Sequence, residues 1–322
     1  MSFEDDLRQF GPDAAYQVTP DEARAYCARL TASHYENFHV VTWLTPRPLR
    51  PAFQSIYAFC RWSDDLGDEV GDPVRARALL GWWRQELHSV YEGNARHPVM
   101  VALADTVREF AIPPVPFEAL ISAFEQDQVV SDYETYDQLL DYCTRSANPV
   151  GHLVLYLARA FDAENARLSD ATCTALQLAN FWQDVARDLE IGRIYLPRED
   201  RSRFGVNDAD LHALRFTSEF GALLRFEVER TRTLFQAGLP LIPRMPRALA
   251  VDVELFSRGG MAILDGIEAQ GFNVLASRPK LGKLTKLGLL ARAFLGRLRP
   301  GLPRAEYRVP ATARTHCEGT AT

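Results

Sequence analysis

The chain has 322 residues, of which 47% are hydrophobic and 24% charged, so it can form one large domain or two ordinary ones. Its five cysteines include no C-x-x-C pair, which argues against a zinc site or a disulfide framework and favours a reducing compartment. No apolar run approaches the roughly 20 residues that cross a bilayer, and the acidic N-terminus is unlike a secretory signal. We therefore expect a cytoplasmic protein.

The charge is distributed unevenly along the chain. The formal net charge is -6, but the segment 278–304 carries eight basic residues and no acid, which leaves -14 for the remainder. An acidic body with one basic end does not resemble a nucleic-acid-binding protein. A phosphorylated ligand or an anionic membrane surface suits this pattern better.

Helical periodicity dominates the sequence, and no segment alternates as a surface strand does. Proline and glycine clusters separate the periodic segments. We predict a single-domain all-α helical bundle over residues 1–304, followed by a disordered polar tail at 305–322. The predicted helical segments are 21–38, 51–69, 74–92, 98–110, 116–130, 136–161, 169–191, 207–238 and 247–270.

The second of these segments carries a first pair of aspartates. Asp64 and Asp68 are four residues apart, so their side chains share one helix face, and Arg61 lies one turn earlier. Like charges so placed destabilise a helix unless a cation offsets them. Mg²⁺ does so, typically with one or two carboxylates, waters and substrate phosphate oxygens. We expect Asp65 and Glu69 to be accessory or exposed.

A second polar ladder occupies the segment 169–191. Asn180, Asp184 and Asp188 follow one another at four-residue spacing, and Gln177 lies just before them. Apolar residues cover the other faces, so we expect this helix and its polar ladder, Asn180 included, to be largely buried. Burying carboxylates costs several kcal/mol each unless they are paired or bind a metal. One Asp-x-x-x-Asp on a helix is usually a solvated face, whereas two facing polar ladders are typical of a helix-bundle metal site.

At these residues the chain resembles the squalene/phytoene synthase family. Residues 57–65 (YAFCRWSDD) match the first aspartate motif of the family, and residues 180–188 with 192–200 match the second. The resemblance implies an all-α fold of the class I isoprenoid synthase type with a central active-site cavity, and two or three Mg²⁺ ions. The implied metal ligands are Asp64, Asp68, Asn180, Asp184 and Asp188.

A third matching stretch is YCTRSANPVG at residues 142–151. By resemblance Tyr142 assists the chemistry, together with Asp64 and Asp184. Pro149 and Gly151 fall inside an apolar helical pattern, so we expect a kink or break that makes room for a long substrate chain.

Two departures from the usual family pattern resemble the bacterial hydroxysqualene synthase branch. The stretch from His34 to Phe38 stands where typical members have a serine-rich phosphate-binding segment. Gln183 stands where they have an arginine, and Arg187, one turn from Asp184, is the candidate to replace that charge. The expected diphosphate contacts are Arg61, Asn37, His34, Gln177, Arg187 and Arg193.

For that branch the resemblance implies Mg²⁺-dependent ionisation of presqualene diphosphate, rearrangement and water capture. The products would be hydroxysqualene and pyrophosphate in squalene and hopanoid biosynthesis, with no NADPH and no nucleic-acid partner. Upstream and downstream enzymes of that route are candidate partners. The alternatives are a complete squalene synthase that condenses two farnesyl diphosphates and uses NADPH, and a carotenoid-type synthase. A non-catalytic helical lipid-binding or assembly protein is the alternative of another class.

The basic amphipathic segment 278–304 allows two interpretations. Its leucines cover about half of a helix wheel with basic residues beside them, which is typical of an interfacial helix, here on the inner membrane face. Alternatively the segment packs on the bundle, with Lys280 or Lys283 closing over the diphosphate.

Overall fold

The computed structural model describes residues 2–33, 46–280 and 282, and the predicted all-α fold is confirmed. Within these residues the only strand-like element is an isolated parallel bridge between Asp132 and Ile194. Short 3₁₀ helices occupy Arg47–Leu49 and Leu239–Arg244. The α-helices are α1 (Phe3–Phe10), α2 (Pro20–Ser33), α3 (Arg50–Asp68), α4 (Pro73–Glu92), α5 (Pro98–Phe110), α6 (Val115–Asp127), α7 (Tyr136–Ser146), α8 (Asn148–Leu157), α9 (Ala163–Glu190), α10 (Arg198–Phe204), α11 (Asp208–His212), α12 (Ser218–Gly238) and α13 (Arg247–Ala269).

Capping residues set the helix boundaries. Asp72 accepts a hydrogen bond from the Val74 amide at the start of α4, which ends at Gly93 in the left-handed conformation. Thr135 caps α7 and Asp162 caps α9 in the same way, through the amides three residues later. These bonds satisfy backbone N–H groups that a helix start leaves without an internal acceptor.

The N-terminal half of the bundle packs α2, α3 and α5 against one another. Its centre is aromatic: Trp62 stacks on Trp83 with ring centroids 5.3 Å apart, and both are fully buried. The Trp62 indole donates to the Tyr26 hydroxyl at 2.9 Å and the Trp83 indole to the Ser63 hydroxyl at 3.0 Å. These paired indoles anchor α3, the helix with the first aspartate pair.

The C-terminal half forms around α9, which packs against α8, α12 and α13. Trp182 is fully buried on α9 and donates to the Thr231 hydroxyl of α12 at 2.8 Å. Because Trp182 fixes the rotation of α9 about its axis, it also fixes the direction of the second polar ladder on that helix.

Helix α6 contacts both halves, since it packs on α3 and α4 and also on α7 and α8. Its C-terminal end is held beside the first aspartate pair. There Gln128 donates to the carbonyl of Gly67 at 3.1 Å and to that of Phe124 at 3.2 Å. The last residue of α6, Asp127, therefore lies between the two halves.

A buried arginine holds the loop after α9 in place. Arg201 is 1% exposed, donates to both carboxylate oxygens of Asp132 at 2.7 and 2.8 Å, and donates to the Leu196 carbonyl at 3.1 Å. The Ile194 amide in turn donates to the Ser131 carbonyl at 2.7 Å. The loop residues Arg193 and Tyr195 thus have a fixed position against the end of the bundle.

The structure corrects several predicted helix bounds. The predicted segment 136–161 is two helices that meet at Ala147 (φ −120°, ψ −50°), and 207–238 divides at residues 213–217, where Leu214 has φ +51°. Helices α1 and α10 had no predicted counterpart. α1 has a sequence signal in the reciprocal capping bonds of Ser2 and Asp5.

The expected break near Pro149 is present, but Gly151 does not open a space on its own face. A Cβ at Gly151 would overlap the Ser169 Oγ and the Cys173 Sγ on α9. The glycine therefore allows α8 and α9 to approach closely. Asn148 strengthens this contact by accepting a 2.9 Å hydrogen bond from the Thr174 hydroxyl.

Among the helices within residues 2–33 and 46–280, none has both the length and the apolar character that crossing a membrane requires. Of the segment 278–304, only residues 278–280 and 282 are described, so its amphipathic helix and the tail 305–322 lie outside the described residues. The predictions for membrane contact and for the domain limits stay predictions.

Candidate active site

The first aspartate pair lies in the last turns of α3, where an arginine joins several acids of the same helix. The guanidinium of Arg61 contacts Asp65 and lies 3.2 Å from Asp64 Oδ2 and 3.0 Å from Glu69 Oε1. Asp65 is buried rather than exposed, and burial raises its pKa to about 7 in spite of Arg61. Arg61, a predicted diphosphate contact, thus forms ion pairs with acids at the end of its own helix.

Arg193 lies between the two aspartate motifs. Its Nη2 is 3.4 Å from Asp68 Oδ1 on α3. Burial raises the pKa values of Asp188 on α9 and of Asp64, and the positive charge of Arg193 opposes both shifts. The Arg193 backbone amide donates to the Asp188 carbonyl at 2.8 Å while its side chain reaches Asp68, so the ends of α3 and α9 lie at one end of the bundle.

The second motif is less enclosed than the sequence suggests. Asp184 is 8% exposed, whereas Asn180 is exposed and Gln177 is half-buried, so the expected burial of Asn180 is wrong. The ladder turns from the protein interior at Asp184 toward solvent at Asn180. Arg187 is exposed too and affects the site through its charge, which lowers the pKa of Asp188.

Asp188 has an unusual electrostatic environment. Its Oδ2 is buried and has no hydrogen-bond partner among the described residues. Burial, followed by the like charge of Asp184, raises its pKa to about 7, although Arg193 acts in the opposite direction. A buried carboxylate oxygen without a hydrogen-bond donor is suited to binding a cation.

Arg278 reaches Asp184 from the segment after α13. Its guanidinium contacts Asp184 Oδ1, and its Nη2 donates to Asp184 Oδ2 at 3.0 Å and to the Gln183 Oε1 at 3.1 Å. The Gln183 amide donates to the Pro279 carbonyl at 2.6 Å. A guanidinium thus reaches Asp184 from Arg278. The role of Arg187 as the replacement for the charge missing from position 183 stays a prediction. Lys280 is exposed, and Lys283 lies outside the described residues.

Tyr142 occupies an aromatic wall beside the two motifs. It is 4% exposed, and its hydroxyl donates to Asp127 Oδ2 at 3.0 Å. Its ring lies near those of Tyr133, Phe181 and Tyr195, and the last two stack with centroids 3.7 Å apart. Burial raises the pKa of Tyr142 far above its usual range, so the phenol stays protonated.

Asp127 is a site residue that no pattern in the sequence indicates. Burial raises its pKa to about 6, opposed by the Arg193 charge and the Tyr142 hydrogen bond. Its position at the end of α6, in the stretch EQDQ, gives no periodic signal of its own. Tyr142 lies 15 residues away in the chain, so the contact between the two side chains is visible only in the folded structure. Among the other predicted contacts, His34 and Asn37 lie outside the described residues.

The donor set fits a metal that is shared with a ligand. No three acids, histidines or cysteines of the described residues are grouped closely enough to hold a metal ion by themselves. Two carboxylates per helix and the buried free oxygen of Asp188 suit Mg²⁺ whose remaining ligands are waters and phosphate oxygens. The assignment of Asp64, Asp68, Asn180, Asp184 and Asp188 as metal ligands stays a prediction.

The fold and these two motifs define an isoprenoid synthase, an enzyme that processes isoprenoid diphosphates. The family model for squalene/phytoene synthases matches residues 31–285, and the chain belongs to that family. The predicted family resemblance is therefore confirmed.

Three relatives with known names are similar to most of this chain. The crystal structure of squalene synthase HpnC from Alicyclobacillus acidocaldarius is 46% identical with a TM-score of 0.76, over 79% of this chain and 96% of that one. The presqualene diphosphate synthase of Rhodopseudomonas palustris is 31% identical over 85% of this chain and 96% of its own. The 15-cis-phytoene synthase of Synechocystis sp. is 31% identical over 88% of each chain. Because these relatives carry names of different products, the family alone leaves the product open.

Proposed function

We propose that this enzyme ionises presqualene diphosphate in a Mg²⁺-dependent reaction and captures the rearranged cation with water, releasing hydroxysqualene and pyrophosphate. The observation that supports a diphosphate site most directly is Arg193, whose guanidinium lies 3.4 Å from Asp68 Oδ1 of α3 and whose backbone amide donates to the Asp188 carbonyl of α9 at 2.8 Å. The 46% identity to a squalene synthase HpnC supports the squalene branch over the carotenoid branch.

The chain's own residues would bind the diphosphate and hold the metal ions. Arg193 and Arg278 supply guanidinium groups that suit phosphate oxygens, because their planar donors match the geometry of such anions. When bound, Mg²⁺ would neutralise the charge that builds on the leaving group. Asp64, Asp68, Asp184 and Asp188 would hold the ions, with Asn180 as a further oxygen donor and Gln177 beside the diphosphate.

The aromatic wall would protect the cation once the diphosphate has left. The rings of Phe181, Tyr195 and Tyr133 pack around Tyr142, and an aromatic face that the bound substrate reaches would attract positive charge. They also exclude most water, so that rearrangement precedes capture. No reductant is needed for capture by water, and we expect product formation without NADPH.

The test is incubation of the purified protein with presqualene diphosphate or farnesyl diphosphate, each with Mg²⁺ and without NADPH. Hydroxysqualene from the first substrate alone supports the proposal. Presqualene diphosphate from the farnesyl substrate, followed by squalene once NADPH is added, would instead indicate a complete squalene synthase.

The metal sites can be tested with Asp64→Asn and Asp184→Asn. We expect each substitution to reduce pyrophosphate release at least about 100-fold, because loss of metal charge stabilisation costs several kcal/mol. Asp265→Asn, an exposed acid that pairs with Arg232, is the matched control and should leave the rate unchanged. Persistent pyrophosphate release in both site variants would show that the metal mechanism is wrong.

Two further expectations concern location and partners. Contact with an anionic membrane through the segment 278–304, and hand-over between neighbouring enzymes of the route, remain proposals. Truncation after Arg278 should abolish binding to anionic liposomes while leaving some turnover, and undiminished binding would exclude the membrane interpretation.

A further inference from the structure

The hydroxyl of Tyr142 has a defined polarity because of its partner. A phenol has one hydrogen to donate, and Tyr142 donates it to Asp127 Oδ2 at 3.0 Å. Any further partner of that oxygen must therefore donate to it. Tyr142 can accept a hydrogen bond from a water molecule, and it presents the negative end of its dipole to a nearby cation.

The ring of Tyr142 is held so that this polarity persists. Its centroid lies 5.6 Å from that of Tyr133, 6.3 Å from that of Phe181 and 6.2 Å from that of Tyr195. Tyr133 itself accepts a hydrogen bond from the Gln126 amide, next to Asp127 in the chain. The phenol and the carboxylate are thus fixed by the same end of α6.

Asp127 also retains unused capacity to accept. Its Oδ1 is buried and has no hydrogen-bond partner in the part of the chain that the structure describes. Burial raises the pKa of Asp127 to about 6, and the positive charge of Arg193 opposes that rise. By contrast Asp64 and Asp184 are occupied by Arg61 and Arg278. Among Asp64, Asp127 and Asp184, Asp127 is the acid that hydrogen-bonds to the Tyr142 hydroxyl.

We propose that Asp127 is a positioning residue that orients the Tyr142 phenol as an acceptor and receives, through it, the proton released when water captures the cation. This inference rests on the proposed water-capture reaction. A water molecule donates to the phenol oxygen, and its lone pair forms the new C–O bond. The resulting oxonium passes a proton to that oxygen while the phenolic hydrogen moves to Asp127. The cation, water and carboxylate thus become an alcohol and a carboxylic acid, with Tyr142 unchanged.

The measurement is the partition of products from presqualene diphosphate in ¹⁸O-labelled water, with pyrophosphate release recorded in parallel. Asp127→Asn keeps the size of the side chain but removes the proton acceptor. We expect pyrophosphate release within about fivefold of wild type, and a ratio of labelled alcohol to olefin that falls at least about tenfold, since positioned acid–base groups contribute 10²–10⁴-fold. Tyr142→Phe should shift the ratio in the same way, and the double variant should shift it no further.

Glu125→Gln is the matched control, because Glu125 lies two residues earlier on α6 and is half-buried, and it accepts from Arg84 of α4 at 2.7 Å. Its product ratio should equal that of wild type. A wild-type ratio in Asp127→Asn, or parallel loss of pyrophosphate and alcohol, would overturn the role of Asp127. If that variant fails to fold, an unchanged ratio in Tyr142→Phe would overturn it. Absence of alcohol from the wild-type enzyme would instead refute the proposed function.

Discussion

Arg278 occupies a carboxylate that a metal ion would need. Its Nη2 lies 3.0 Å from Asp184 Oδ2, and its side chain is 34% exposed. Hydrogen bonds to charged groups contribute about 1.5–3 kcal/mol each, and solvent weakens such a pair when it is partly exposed. We assign about 2 kcal/mol to the whole contact.

Removal of Arg278 should therefore increase the affinity of the free enzyme for divalent cations. A metal that binds Asp184 must first displace the guanidinium, and about 2 kcal/mol corresponds to roughly 30-fold in affinity. We expect Arg278→Ala to bind Mn²⁺ about 10- to 30-fold more tightly than wild type when no diphosphate is present. Electron paramagnetic resonance of free Mn²⁺ in a titration measures this affinity directly.

A suitable control is Arg232→Ala, since Arg232 also joins two acids, Asp265 and Glu268, but on the outer surface of α12 and α13. Its Mn²⁺ affinity should equal that of wild type. Unchanged or weaker Mn²⁺ binding by Arg278→Ala would refute the reasoning, because it would show that Arg278 does not compete with the metal at Asp184.

Two predictions concern stability. Gly151→Ala should lower the free energy of unfolding by about 1–3 kcal/mol, because the new Cβ overlaps Ser169 and Cys173. Gly81→Ala is the control: no atom lies within 4 Å of its added Cβ, so it should raise the free energy of unfolding by up to about 1 kcal/mol. Urea unfolding measures both, and equal effects would contradict the packing argument. The pKa of Asp188 is about 7 in the folded protein and near 3.8 when unfolded, so the folded state binds the extra proton and stability falls as pH rises from 4 to 7. In metal-free buffer Asp188→Asn should be more stable than wild type by about 2 kcal/mol at pH 8 and equal to it near pH 4, and a gain of the same size at both values would refute the assignment.

Helical periodicity was sufficient to predict the bundle, because most of its helices bury one face. It did not predict the divisions at Ala147 and at residues 213–217. These divisions depend on single backbone conformations and on a cap at Thr217, which barely alter the apolar pattern. The short helices α1 and α10 were missed since fewer than three turns give little periodicity.

The aspartate pairs could be predicted from their spacing, and Tyr142 from the family resemblance of residues 142–151. The contacts that complete the site could not be predicted. Asp127 meets Tyr142 only because α6 spans both halves of the bundle, and Arg278 meets Asp184 from 94 residues away. The exposure of Asn180 likewise depends on how far neighbouring helices extend over α9, which a helical wheel does not specify.

Gln183 and Arg278 form a matched pair, and this pairing explains a departure from the usual family motif. The Gln183 amide accepts from Arg278 Nη2 and donates to the Pro279 carbonyl. An arginine at position 183 has donors only, so it could not accept from Arg278, and it would place two like charges in contact. With Arg278 in this place, the arginine that typical members have within the motif does not fit at position 183, and the positive charge must come from another part of the chain. Here it comes from the segment after α13, so the charge at Asp184 depends on the docking of that segment.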